Sequence, residues 1–106
     1  MRKEYHKLVR DKIPEIIQQS GLKCETLTLA ESEYREALRQ KVVEEAQEIA
    51  VAEEQNLITE LADIYEVIDT IIETYGINRE LIIAEQIRRR NERGGFQKRI
   101  KLLWTE

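Results

Sequence analysis

Residues 31–75 read ESEYREALRQKVVEEAQEIAVAEEQNLITELADIYEVIDTIIETY, and their periodicity decides the fold. Tyr34, Leu38, Val42, Ala46 and Ile49 recur at steps of three and four. That is the spacing of one helix face, so the pattern predicts a helix from about Glu31 to Glu54. Gln55 and Asn56 mark a break. A second stripe, Ile58, Leu61, Ile64, Tyr65, Ile68, Ile71 and Ile72, predicts a helix from about Leu57 to Tyr75, stopped by Gly76. So short a connection makes the two helices antiparallel neighbours.

The flanks are shorter elements. Tyr5 to Gly21 holds a helix signal, with Asp11 to accept from the first amides, Pro14 in the first turn and Gly21 after the last. Ile13, Ile16 and Ile17 would form its buried side. Residues 23–29 alternate polar and apolar, the pattern of a short strand. Asn78 suits the cap of a further helix from Arg79 to about Glu92, with Ile82, Ile83 and Ile87 as its apolar positions and Gly94-Gly95 at its end. The closing stretch 96–104 is basic and then apolar, and admits a minor two-stranded pairing with 23–29. The fold expected is all-α, an antiparallel helical bundle in one domain spanning 1–106.

Composition agrees. Of 106 residues, 42% are hydrophobic and 36% charged, too apolar for a disordered chain. Four glycines and one proline leave room for few turns, which favours long helices. A net charge of -4 argues against a general nucleic-acid binder, which needs a basic surface. The charge is segregated: acids concentrate between Glu31 and Glu73, while Arg88 to Lys101 is basic. Cys24 is the sole cysteine, so no internal disulfide forms and a reduced thiol is expected. Met1 to Arg10 is charged throughout, unlike a secretory leader, and no apolar run approaches the ~18 residues of a membrane span. A cytoplasmic protein without a membrane partner is expected.

The informative feature is where the carboxylates fall at roughly 100° per residue. Glu45 lies inside the apolar stripe of the first long helix and Glu48 at its edge. On the second, Glu60 borders the stripe beside Val67 and Ile71, with Asp63 one step farther round. Two i,i+3 acidic pairs thus face inward on adjacent helices. Buried together, four carboxylates must be protonated or hold a cation. Hard oxygen ligands select Mg²⁺, with Mn²⁺ as the alternative. The bland alternative is that these acids pair with Lys or Arg on solvated faces.

Glu44-Glu45-Ala46-Gln47-Glu48 followed by Glu60-Leu61-Ala62-Asp63 resembles the EExxE…ExxD signature of MazG-type pyrophosphohydrolases, in the all-α NTP pyrophosphatase superfamily. Lys7 to Glu15, KLVRDKIPE, resembles the opening of a short single-domain MazG-like subgroup, and Arg93-Gly94-Gly95-Phe96 its closing segment. The resemblance implies Mg²⁺-dependent hydrolysis of nucleoside triphosphates to monophosphate and pyrophosphate, by water attack at the α-phosphorus. It implies Glu45, Glu48, Glu60 and Asp63 as metal ligands, and a role for Glu44, with Glu45, in positioning or deprotonating the water. It also implies a homodimer or a dimer of dimers. Only 11 residues separate Glu48 from Glu60, the short end of the family's spacing, so the helices must turn tightly near Glu54 to Asn56.

A triphosphate carries about four negative charges, which guanidinium groups match well. Arg89 and Arg93, one helical turn apart, are candidates, with Asn91 beside them. Lys7, Arg10 and Lys12 of the opening segment are candidates to cover a bound nucleotide. His6 is the only histidine and has no cysteine or second histidine near it, so zinc is not expected. Two other functions fit the same pattern. One is hydrolysis of phosphoribosyl-ATP or dUTP/dCTP on this scaffold; the other is a non-catalytic helical dimer that binds a partner.

Overall fold

The structure, a computed structural model, describes all of residues 1–106 and contains four α-helices and no strand. Helix α1 spans Ile13–Gln19, α2 Glu31–Val51, α3 Leu57–Thr74 and α4 Arg79–Arg93, with a 3₁₀ turn at Glu54–Asn56. The chain divides into two compact units, Met1–Tyr75 and Gly76–Glu106. No helix is long and apolar enough to cross a membrane.

The first unit is built on the α2–α3 hairpin. Ala52 and Glu53 leave the helical conformation, and the 3₁₀ turn leads straight into α3, so the reversal is as tight as its spacing requires. At the other end of the hairpin the partners are polar. Arg35 on α2 donates to the Thr74 carbonyl at the end of α3 (3.3 Å). It also pairs with Glu31 (2.9 Å) and stacks over the Tyr75 ring, which Arg39 approaches as well. A cation there meets both an orphan carbonyl and the negative end of the α3 dipole.

The core is thin. Leu38, Val67 and Ile72 are the buried hydrophobic residues, with Val42, Ile49, Ile64 and Ile71 half-buried around them. The α3 stripe departs from expectation: Ile72 is buried, but Ile58 is 83% and Tyr65 68% exposed, with Leu61 and Ile68 also exposed. The apolar arc of α3 is wider than one neighbouring helix covers. The side turned to α2 carries Glu60, Asp63, Ile64, Val67 and Ile71, and the rest of the arc is left open.

The first helix starts at Ile13 with Pro14 in its first turn, as expected of a residue without an N–H. Three other expectations are corrected. Lys12, not Asp11, takes the cap position, and no side chain caps it. Ile16 is exposed while Ile13 and Ile17 are half-buried. Residues 23–29 form no strand, and 96–104 form none either. Arg99 has φ +60° and its amide closes a turn onto the Phe96 carbonyl (3.1 Å), which interrupts an extended run, and a strand pair without further strands is marginal. Cys24 is half-buried with its sulfur 3.9 Å from the Pro14 carbonyl, a packing role.

In the second unit Asn78 caps α4 as expected, its side chain accepting from the Glu80 amide (2.9 Å). Gly94 ends α4 at φ +84°, a conformation that favours glycine.

Leu38 is 3% exposed and central to the hairpin. Leu38→Ala should lower stability in urea unfolding by about 2–5 kcal/mol, whereas Glu36→Ala on the exposed side should change it by less than about 0.5 kcal/mol.

Candidate metal and nucleotide site

Helix α2 has little amphipathic character because Lys41, Glu44 and Glu45 occupy half-buried positions between Leu38 and Ile49. Across from them α3 presents Glu60 and Asp63, also half-buried. The register brings Glu45, Glu60 and Asp63 together: one oxygen from each lies within 4.8 Å of the other two. Glu48 does not join them and is exposed. Helical angle alone does not set it apart: Glu44 lies farther round α2 from Glu45 than Glu48 does, yet Glu44 is half-buried, covered by Lys7 and Lys41.

Glu44, Glu45 and Asp63 each have a cationic partner. Lys41 reaches Glu44 at 3.1 Å and Glu45 at 3.9 Å. Lys7, from the segment before α1, donates to the other oxygen of Glu44 (3.0 Å). Arg10 donates to Asp63 (2.8 Å). Glu60 alone of the trio has no ion pair. The alternative reading of these acids, pairing with Lys or Arg, is thus realised for Glu44, Glu45 and Asp63, although on half-buried rather than solvated positions. Lys41 is the residue that sequence reasoning overlooked. Its signal was present, since it precedes Glu44 by three residues and Glu45 by four, the spacings at which helical side chains meet.

The two neighbouring glutamates are driven apart. Burial raises the pKa of Glu45, Lys41 works against the rise, and the charges of Asp63, Glu44 and Glu60 reinforce it, leaving it above the ordinary value. Burial also pushes Glu44 up, but hydrogen bonds from Lys7 and Lys41 outweigh it and hold Glu44 below the ordinary value. The same bond to Glu44 raises Lys7.

The donor set fits a hard divalent cation. It is all oxygen, comes from rigid helices, and its spacing is close to that of one coordination shell. Ligands roughly 2.0–2.1 Å from one Mg²⁺ are at most about 4.2 Å apart, so small side-chain rotations suffice. Glu45, Glu60 and Asp63 are the residues that could hold it. Of the basic candidates, Lys7 and Arg10 stand at the carboxylates, whereas Lys12 is exposed and enters no ion pair. Arg89, Asn91 and Arg93 lie on α4, in the second unit. Within that unit Arg88 is tied to Glu85 and to Glu92 (2.8 Å), and Arg89 lies along a shallow groove with Leu81, Ile82 and Gln86.

Carboxyl-detected NMR titration should place Glu44 below and Glu45 above the ordinary glutamate pKa. Because Glu44 is lowered, the stability it contributes is present above pH 4.5, its ordinary value, and is lost as pH falls through its folded value. Lys7→Met should move Glu44 upward and flatten that acid limb. An unmoved Glu44 would mean that the Lys7 bond does not persist in solution.

No family model, no curated protein and no solved structure matches the chain.

Proposed function

We propose that the protein is a Mg²⁺-dependent nucleoside triphosphate pyrophosphohydrolase of MazG type. The observation that carries this reading is the meeting of Glu45, Glu60 and Asp63 across the α2–α3 hairpin, beside the Lys7 and Arg10 cations. The second support is the motif resemblance, which reaches these residues through EExxE…ExxD and the arm through KLVRDKIPE. Oxygen ligands together with nearby cations are what a metal–polyphosphate ligand requires.

In this reading Glu45, Glu60 and Asp63 hold Mg²⁺, and Glu48 joins them only through a change of side-chain position. When bound, the ion lowers the pKa of a water and offsets charge on phosphoryl oxygens. Glu44, kept ionised by Lys7 and Lys41, orients the attacking water and accepts its proton. The new bond joins the water oxygen to the α-phosphorus, the bridge to the β-phosphate breaks, and pyrophosphate leaves. Lys7 and Arg10 take phosphoryl oxygens. We assign the activity to the cytoplasm, where nucleotides and reduced thiols such as Cys24 coexist.

The reading includes a homodimer. Ile58, Leu61, Tyr65 and Ile68 form an exposed apolar band along α3, and a second copy of the hairpin covers such a band by helix–helix packing. Tyr65→Glu should convert a dimer, or a dimer of dimers, into smaller species by light scattering at micromolar concentration. A wild-type monomer would remove this part of the reading.

A second reading is favoured by the ion pairs themselves: the acids pin the arm to the hairpin in a non-catalytic helical dimer. One experiment separates the two. Pyrophosphate release is measured with Mg²⁺ across canonical, deoxy and modified triphosphates, with EDTA as control. Metal-dependent release with equimolar monophosphate is expected, and Glu60→Gln should reduce it at least about a hundredfold, the low end for one positioned catalytic group, without loss of stability. Absence of release from every triphosphate, and from phosphoribosyl-ATP, would leave the second reading.

A further inference from the structure

Asp63 is claimed twice. Its carboxylate belongs to the trio, and it also accepts from Nη2 of Arg10 at 2.8 Å, a residue 53 positions earlier in the sequence. A guanidinium and a divalent cation at contact distance from one carboxylate repel each other, so full engagement of one weakens the other. Resting on the reading of the trio as a cation site, we propose that Arg10 is an exchangeable counter-ion. It neutralises Asp63 in the absence of the divalent cation, is displaced when that cation enters, and then engages the phosphate oxygens of the incoming anion. Cation and polyphosphate thereby favour the same position of Arg10, and their binding is linked.

Three observations make the exchange inexpensive. The pair is exposed, with 57% of the Arg10 side chain and 35% of Asp63 accessible, so it is equivalent to a factor of only about 1.5 to 5 in an equilibrium constant. Residues 1–10 belong to no helix or strand, so a swing of Arg10 breaks no secondary structure. The segment stays attached on both sides of the moving side chain. Lys7 holds Glu44, which lies outside the trio, and the Arg10 carbonyl accepts from the Ile13 amide at the start of α1 (3.0 Å). Arginine suits the second partner as well as the first, because its planar fork binds carboxylate or phosphate through two parallel bonds.

The test is direct binding of Mn²⁺ to the full-length, metal-free protein at low ionic strength, followed by the EPR signal of free Mn²⁺, with no nucleotide present. Arg10→Gln should bind Mn²⁺ about two- to fivefold more tightly than wild type. Lys23→Gln, which removes an exposed lysine outside the arm and away from the trio's ion pairs, should leave it unchanged. On the unmodified protein, the Arg10 Nε–H resonance should move when Mg²⁺ is added, and move again with a methylene-bridged triphosphate that cannot be cleaved. Equal Mn²⁺ affinity in wild type and Arg10→Gln, with an unmoved Arg10 resonance, would overturn the exchange while leaving the cation site standing. Failure of both proteins to bind Mn²⁺ would overturn the cation reading, and the exchange with it.

Discussion

Carboxylates placed on the packed side of two helices must be compensated, and the rest of this structure follows from how that is done. Glu45 and Lys41 are among the least exposed charged side chains, at 13% and 15%, and they lie where an ordinary hairpin would bury aliphatic residues. Burial and mutual repulsion both oppose ionisation there. Lys41 supplies compensation from within α2, and Lys7 and Arg10 supply it from outside the hairpin. The segment before α1 is therefore held by the charges it neutralises. Its position depends on electrostatics that salt, acid or a competing cation can alter.

Spending inward positions on charge leaves little for packing. Leu38, Val67 and Ile72 are the buried hydrophobics. The hairpin relies on polar ties at its open end, where Arg35 joins Glu31, Thr74 and Tyr75, and on a tight 3₁₀ reversal at the other. The apolar residues that remain, on the outer side of α3, are too many for one neighbouring helix. A thin core and an open apolar band have the same origin, which is that the acids occupy the side of α3 turned to α2. Under the proposed reading, self-association would cover that band.

The proposed chemistry draws on a contrast between adjacent residues. Glu44 and Glu45 are neighbours on one helix, yet one is held ionised by two ammonium groups and the other is pushed toward protonation. Such a division suits separate roles, one acid positioning water and the other holding a cation, which would itself supply the charge that Glu45 lacks.

By itself the sequence determined the four helices and most of their ends, although α2 stops at Val51, short of the expected Glu54. Period-3.6 stripes, Pro14 in a first turn, Asn78 as a cap, and Gly76 and Gly94 as stops act within a few residues and survive any tertiary arrangement. It also determined that Glu45, Glu60 and Asp63 lie toward the packed sides, since helical angle alone places them there. Only the tertiary structure decided which residues meet. Glu48 lies about 60° from Glu45 and is exposed, while Lys41 stands beside Glu44 and Glu45. Lys7 and Arg10 reach acids 37 and 53 residues away, across a segment whose path no local pattern specifies. Register between helices and the route of an irregular arm depend on packing and charge pairing between distant residues, and propensity carries no information about those.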